Sequence, residues 1–164
     1  MSKVLSYTSG FASAGYVTVS SQPVGLGYDG ASHSVFVTRY SGGSQGVYWF
    51  STTANPVTAT AYATSGYFNQ PNAMAVVRNT LQSLEIYVVN TGGHSNERSI
   101  LKISNNGATV ETYLSASNRD HKLCNPTGIA TDGTYLYIAN STCSDGYSTT
   151  DNTNYAKSLL KVAF

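Results

Sequence analysis

The chain has 164 residues, enough to bury a sizeable core, and only 10% of them are charged, for a formal net charge of +1. That balance excludes a nucleic-acid surface held by phosphate neutralisation, which needs a basic stripe, and no apolar run approaches the roughly 20 residues that span a bilayer. The 13 Tyr and 15 Gly, with many Ser, Thr and Asn, suit strands and turns with a polar, uncharged exterior, a composition common on secreted and cell-surface β proteins.

The opening residues Met1-Ser2-Lys3-Val4 lead into a polar, strand-like segment rather than the apolar stretch of a signal peptide. Either export by that route does not occur, or a mature chain carries an added initiator Met. Val4 to Gly10 reads as a strand and matches Thr60 to Gly66 further on. Gln22-Pro23-Val24-Gly25-Leu26-Gly27-Tyr28-Asp29-Gly30 then starts a hairpin whose return strand is Ser34 to Thr38. Two more strands follow, Gly46 to Ser51 and Val57 to Tyr62. The construction recurs from Gln70-Pro71, with return strand Leu84 to Asn90 and strands Ser99 to Ser104 and Thr109 to Leu114. It recurs again in Asn125-Pro126-Thr127-Gly128-Ile129-Ala130-Thr131-Asp132-Gly133, with return strand Tyr135 to Asn140 and a last strand from Ser158 to Phe164. A unit of about 50 residues repeats three times.

Each complete unit holds four antiparallel strands, here a, b, c and d. A unit that opens with P-x-G-[IL]-x-x-D-G and ends strand b in an apolar run plus Asn resembles the NHL-type β-propeller repeat. The third unit matches best, the first keeps Pro23 and Asp29-Gly30, and the second has Val77-Arg78-Asn79 in place of Asp-Gly. The resemblance implies an all-β propeller of four-stranded blades, three per chain: a closing strand d and linker in residues 1–22, blade 1 in 23–70, blade 2 in 71–125, and blade 3, without strand d, in 126–164.

Three blades do not close a ring, since propellers carry four to eight. The expected solution is strand exchange, the first strand of one copy completing the last blade of another. Val4, Leu5 and Tyr7 would then meet Leu159, Leu160 and Val162, giving a six-bladed homodimer. An open filament, or a fragment of a longer propeller, are the other two outcomes.

The only cysteines, Cys124 and Cys143, lie nine residues before Gly133 and nine after Thr134. A hairpin turning at Gly133-Thr134 sets them opposite one another, which favours a disulfide and an oxidising compartment over two free thiols. Asp29 and Asp132 precede Gly, where turn chemistry outweighs metal or catalysis. The b–c and d–a connections share one face and are the elaborate ones, so recognition is expected there. Candidate ligand-binding residues are Asp145, Tyr147, Asp151, Asn152, Asn154 and Tyr155 in the longest loop, with His94 and Asn96. Their aromatic and amide groups suit a glycan or a protein; Ca²⁺ is a weak alternative without a calcium-loop spacing. Asn140-Ser141-Thr142 is an N-glycosylation acceptor pattern.

The sequence thus reads as a non-enzymatic extracellular or surface module that self-assembles and binds a glycan or protein, with neither nucleic acid nor membrane insertion and no cofactor. The alternatives are a structural subunit of a filament or coat, and a metal-dependent hydrolase or lyase of the kind the NHL resemblance implies, for which no nucleophile motif or H-E-x-x-H is present.

Overall fold

A computed structural model describes residues 2–7, 13–53, 58–92, 98–115, 123, 125–141 and 158–164. Two four-stranded antiparallel sheets follow each other in the chain. The first is β3 (Pro23–Asp29), β4 (Ser34–Arg39), β5 (Gly46–Ser51) and β6 (Thr60–Thr64); the second is β7 (Pro71–Arg78), β8 (Leu84–Asn90), β9 (Ser99–Ser104) and β10 (Thr109–Ser115). A third sheet has three described strands, β11 (Asn125–Thr131), β12 (Tyr135–Ser141) and β13 (Ser158–Ala163). Ahead of them all, β1 (Ser2–Tyr7) pairs with β2 (Ser13–Val19) in a hairpin of its own.

The repeat motif has a local physical cause. Each first strand begins near a proline, whose missing N–H and fixed φ suit a strand start, and the register slips just beyond Pro23, Pro71 and Pro126. The Asn that closes strand b reaches back to this entry: Asn90 Oδ1 accepts the Asn69 N–H at 2.7 Å, and Asn140 Oδ1 accepts the Asn125 N–H at 3.1 Å. In the first unit Arg39 faces Pro23 instead, and donates to the Tyr48 hydroxyl at 2.8 Å. Where β3 converges on β7 the backbones come close, and a β-carbon on Gly25 would collide with the Asn72 carbonyl oxygen.

The sheets stack face to face. Phe36, Val47 and Ala63 of the first pack on Met74, Ile86, Val88 and Leu101 of the second, and Tyr87, Val89, Ile100 and Leu114 on its other face pack on Leu136, Ile138, Leu160 and Val162 of the third. Strand β8 is therefore apolar on both faces from Ile86 to Val89, all fully buried. The hairpin lies on the remaining face of the first sheet, where Val19 meets Val37 and Tyr48 with Val4 alongside.

Two sequence expectations change. Residues 1–22 hold two strands rather than one and a linker, because Ser13–Val19 pairs with Ser2–Tyr7; Val4, Leu5 and Tyr7 are bonded to Val17, Tyr16 and Ser13 of the same chain. The alternation that buries Val17 and Val19 was hidden by reading the whole stretch as a connection. The symmetry about Gly133-Thr134 holds from Thr131↔Leu136 to Gly128↔Ala139, but the slip beyond Pro126 sets Asn125 opposite Ser141. The positional premise for pairing Cys124 with Cys143 is lost at that bulge, and both cysteines lie outside the described residues.

Candidate functional site

Asp145, Tyr147, Asp151, Asn152, Asn154, Tyr155, His94 and Asn96 lie outside the described residues. The chemistry the structure does describe sits at the a–b turns and on the faces between sheets. Asp132 performs turn chemistry: its carboxylate accepts the Thr134 and Tyr135 N–H groups, both at 2.8 Å, and the Tyr137 hydroxyl at 2.8 Å. The Thr134 bond leads the effects that hold its pKa below the usual carboxylate range. Asp29 does the same for Ala31 and Ser32, and adds a contact between sheets. Arg78 Nε donates to Asp29 Oδ1 at 3.0 Å, and its Nη2 pairs with Oδ2. Only 6% of Asp29 is exposed, and the Arg78 hydrogen bond is the main cause that lowers its pKa to about 2. The departure of the second unit from the repeat, Arg78 in place of Asp-Gly, was the available signal for this bridge. Asn140 is buried and already bonded to Asn125, which removes it as a glycosylation acceptor in the folded chain.

Between the second and third sheets lies a polar cluster inside an apolar seam. The buried Tyr87 hydroxyl donates to Glu85 Oε2 at 2.8 Å, and Lys102 Nζ approaches Glu85 Oε1 at 3.1 Å. Phe164 stacks on the Tyr87 ring at 5.4 Å, and Tyr113 meets it edge-on at 5.0 Å. Burial, then the bond to Glu85, pushes the Tyr87 phenol far above its usual range. Burial opposes ionisation of Glu85, but the bonds from Tyr87, Lys102 and Asn79 prevail and lower its pKa.

The opposite face of the third sheet repeats this arrangement without the cover. Tyr137 pairs across strands with Lys161 as Tyr87 does with Lys102, and in both pairs the ammonium lies 5.9 Å from the tyrosine ring centroid. Lys161 also sits 3.8 Å from the Tyr135 ring centroid, and Leu159 beside it is 68% exposed. Leu160 and Val162 of the same strand point the other way, into the seam with the second sheet. At the other end of the stack the hairpin covers Val37 and Tyr48 but not strand β3, where Val24, Leu26 and Tyr28 form an exposed apolar stripe. Met74, which takes the place of Leu26 in the second unit, is buried under the first sheet.

No family model matches the chain, and no curated protein matches it. Solved structures do. A nidogen/laminin complex matches with a TM-score of 0.55 and 20% identity over 72% of this chain and 39% of that one. Hydrazine synthase of Kuenenia stuttgartiensis matches with 0.61 and 13% over 84% and 43%, and the PQQ-bound aldose sugar dehydrogenase of Streptomyces coelicolor with 0.58 and 12% over 86% and 42%. The fold is a β-propeller of four-stranded antiparallel blades. The chain spans about two fifths of the length of each of these structures. At such identities the likeness extends to the fold alone, and the NHL-type assignment is not among what it supports. Among the described residues no group of three or more His, Cys, Asp or Glu is placed to hold a metal ion, and no helix is long and apolar enough to cross a membrane.

Proposed function

We propose that the chain is a self-assembling, non-enzymatic β-propeller module in which a second copy supplies the sheet that the front of blade 1 lacks. The observation that carries this reading is the half-covered front of that blade. The hairpin occupies the outer part, over Val37 and Tyr48, and leaves open the inner stripe of Val24, Leu26 and Tyr28. Strands β11, β12 and β13 of another copy would fill it with the residues of their uncovered face. By repeat equivalence they would present Tyr137, Leu159 and Lys161, as blade 2 presents Tyr87, Ile100 and Lys102 to blade 3. Two such contacts close a six-bladed ring; a rotation that fails to close gives a filament. The elaborate b–c and d–a connections would then line one face of the assembly as its binding surface, and the low-charge, Tyr-rich composition supports an extracellular or surface setting.

Solution mass tests this. Wild-type protein is expected at twice the 17.4 kDa of one chain, and Leu159→Arg, at an exposed site, at 17.4 kDa. A wild-type monomer at high micromolar concentration, or a dimer indifferent to Leu159→Arg, would remove the proposal; larger masses in series would favour the filament.

A further inference from the structure

On the side of the a–b and c–d turns, blades 1 and 2 enclose a cleft of about 560 Å³, within the size range of small-molecule sites. We infer that this cleft binds the pyranose ring of a neutral saccharide. One wall is aromatic, built from Trp49 and Tyr62 over Phe36, whose ring meets Tyr62 edge-on at 4.9 Å. The facing rim is made by the turns of blade 2 and carries the amides of Gln82, Asn105 and Asn106. A sugar ring has one C–H face that packs on an aromatic surface and a girdle of hydroxyls that needs amide and phenol partners, and this lining supplies both.

Of the rim amides, Asn105 already donates to Thr109 Oγ1 at 2.9 Å, while the others are uncommitted. Among the described residues the side chains of Trp49, Tyr62, Gln82 and Asn106 have no hydrogen-bond partner. The one charged group in the lining is closed off: Arg78 donates through Nε and Nη2 to Asp29 and through Nη1 to the Gln82 carbonyl at 2.6 Å. An anionic or cationic ligand would meet no free countercharge here, which is the reason the inference specifies a neutral sugar. The presenting turns are unusual in their backbone, since Gln82, Asn105 and Asn106 all have positive φ, at 60°, 51° and 53°, and hold their amides at the rim. Both walls come from one chain, so the site does not depend on ring closure, and a monomer would retain it.

Trp49 is the only tryptophan, so its fluorescence reports on this cleft alone. Titration with methyl glucoside, methyl galactoside and N-acetylglucosamine is expected to give a saturable change with at least one of them, at a midpoint of about 1–10 mM. Glucuronate and glucosamine are expected to bind about tenfold more weakly, given the missing countercharges. Asn106→Gly and Gln82→Asn preserve the positive φ and shorten or remove an amide, and each is expected to weaken binding about fivefold, the worth of one hydrogen bond. A linear response to every neutral sugar, charged sugars binding as tightly as neutral ones, or both variants retaining wild-type affinity would overturn the assignment.

Discussion

Tyr87 and Tyr137 hold the same register position in successive blades, each across from a lysine, yet Tyr87 is fully buried beneath blade 3 while Tyr137 stands on an uncovered face. The acceptor differs with the setting. Tyr87 bonds to Glu85 on its own strand, whose carboxylate is held by Lys102 and Asn79; Tyr137 bonds to Asp132 in the adjoining turn. The apolar partners are similar but smaller, with Ala139 opposite Leu159 where blade 2 has Val89 opposite Ile100. A face with the plan of a blade-to-blade seam but less apolar volume is suited to association that is weaker than an intrachain seam.

The largest expected effect separates the two tyrosines directly. Tyr87→Ala empties a site closed by Phe164 and Tyr113 and leaves Glu85 short of a donor, and is expected to cost about 3–5 kcal/mol in urea unfolding. Tyr137→Ala in dilute protein should cost less than about 1 kcal/mol. Equal costs would mean that the blade 3 face is already covered within one chain, and the contrast would fail. The next effect concerns the blade entries. Asn90, on the face of β8 opposite Tyr87, is the acceptor of the Asn69 N–H; Asn90→Ala is expected to cost about 1–3 kcal/mol, with exchange of that amide accelerated.

A third test uses pH at the other seam, between blades 1 and 2. Asp29 has a folded pKa of about 2, below the ordinary carboxylate value, so its contribution is present above pH 4 and is lost as the pH falls towards 2. Arg78 is partly exposed, and solvent screening limits the contribution. Unfolding free energy measured from pH 5 to pH 2 should fall more steeply for wild type than for Asp29→Asn; identical slopes would show that the ion pair adds nothing.

The period of the chain, its four-stranded units and the apolar runs of strand b were legible because each element is local: a proline, a turn pair, an alternation, a closing Asn. The Asp29–Arg78 bridge was not, because its partners are 49 residues apart and meet only once two sheets stack. Likewise the aromatic cleft is assembled from a c strand, a d strand and the turns of the following unit, none of which stands out alone. Strand β2 escaped for the opposite reason. Ser13-Ala14-Gly15-Tyr16 resembles a loop in composition, and only the partner strand and the face of blade 1 make Val17 and Val19 into core.

The smallest effect sharpens the comparison most, because it isolates charge from volume. Lys102 and Lys161 lie equally far from their tyrosine rings, but Lys102 also neutralises a carboxylate that is only 12% exposed. Removing Lys102 should leave Glu85 poorly compensated and cost about 1–2 kcal/mol, while Lys161→Ala removes a cation from over Tyr135 on an open face and should cost about 0.5 kcal/mol or less in the dilute chain. If the second copy docks on this face, the ranking changes with concentration. Lys161→Ala then weakens association although it barely alters unfolding of the dilute chain, whereas Lys102→Ala lowers stability without shifting the dimerisation constant. Sedimentation and urea unfolding on the same two variants therefore separate a seam inside one chain from a seam between two.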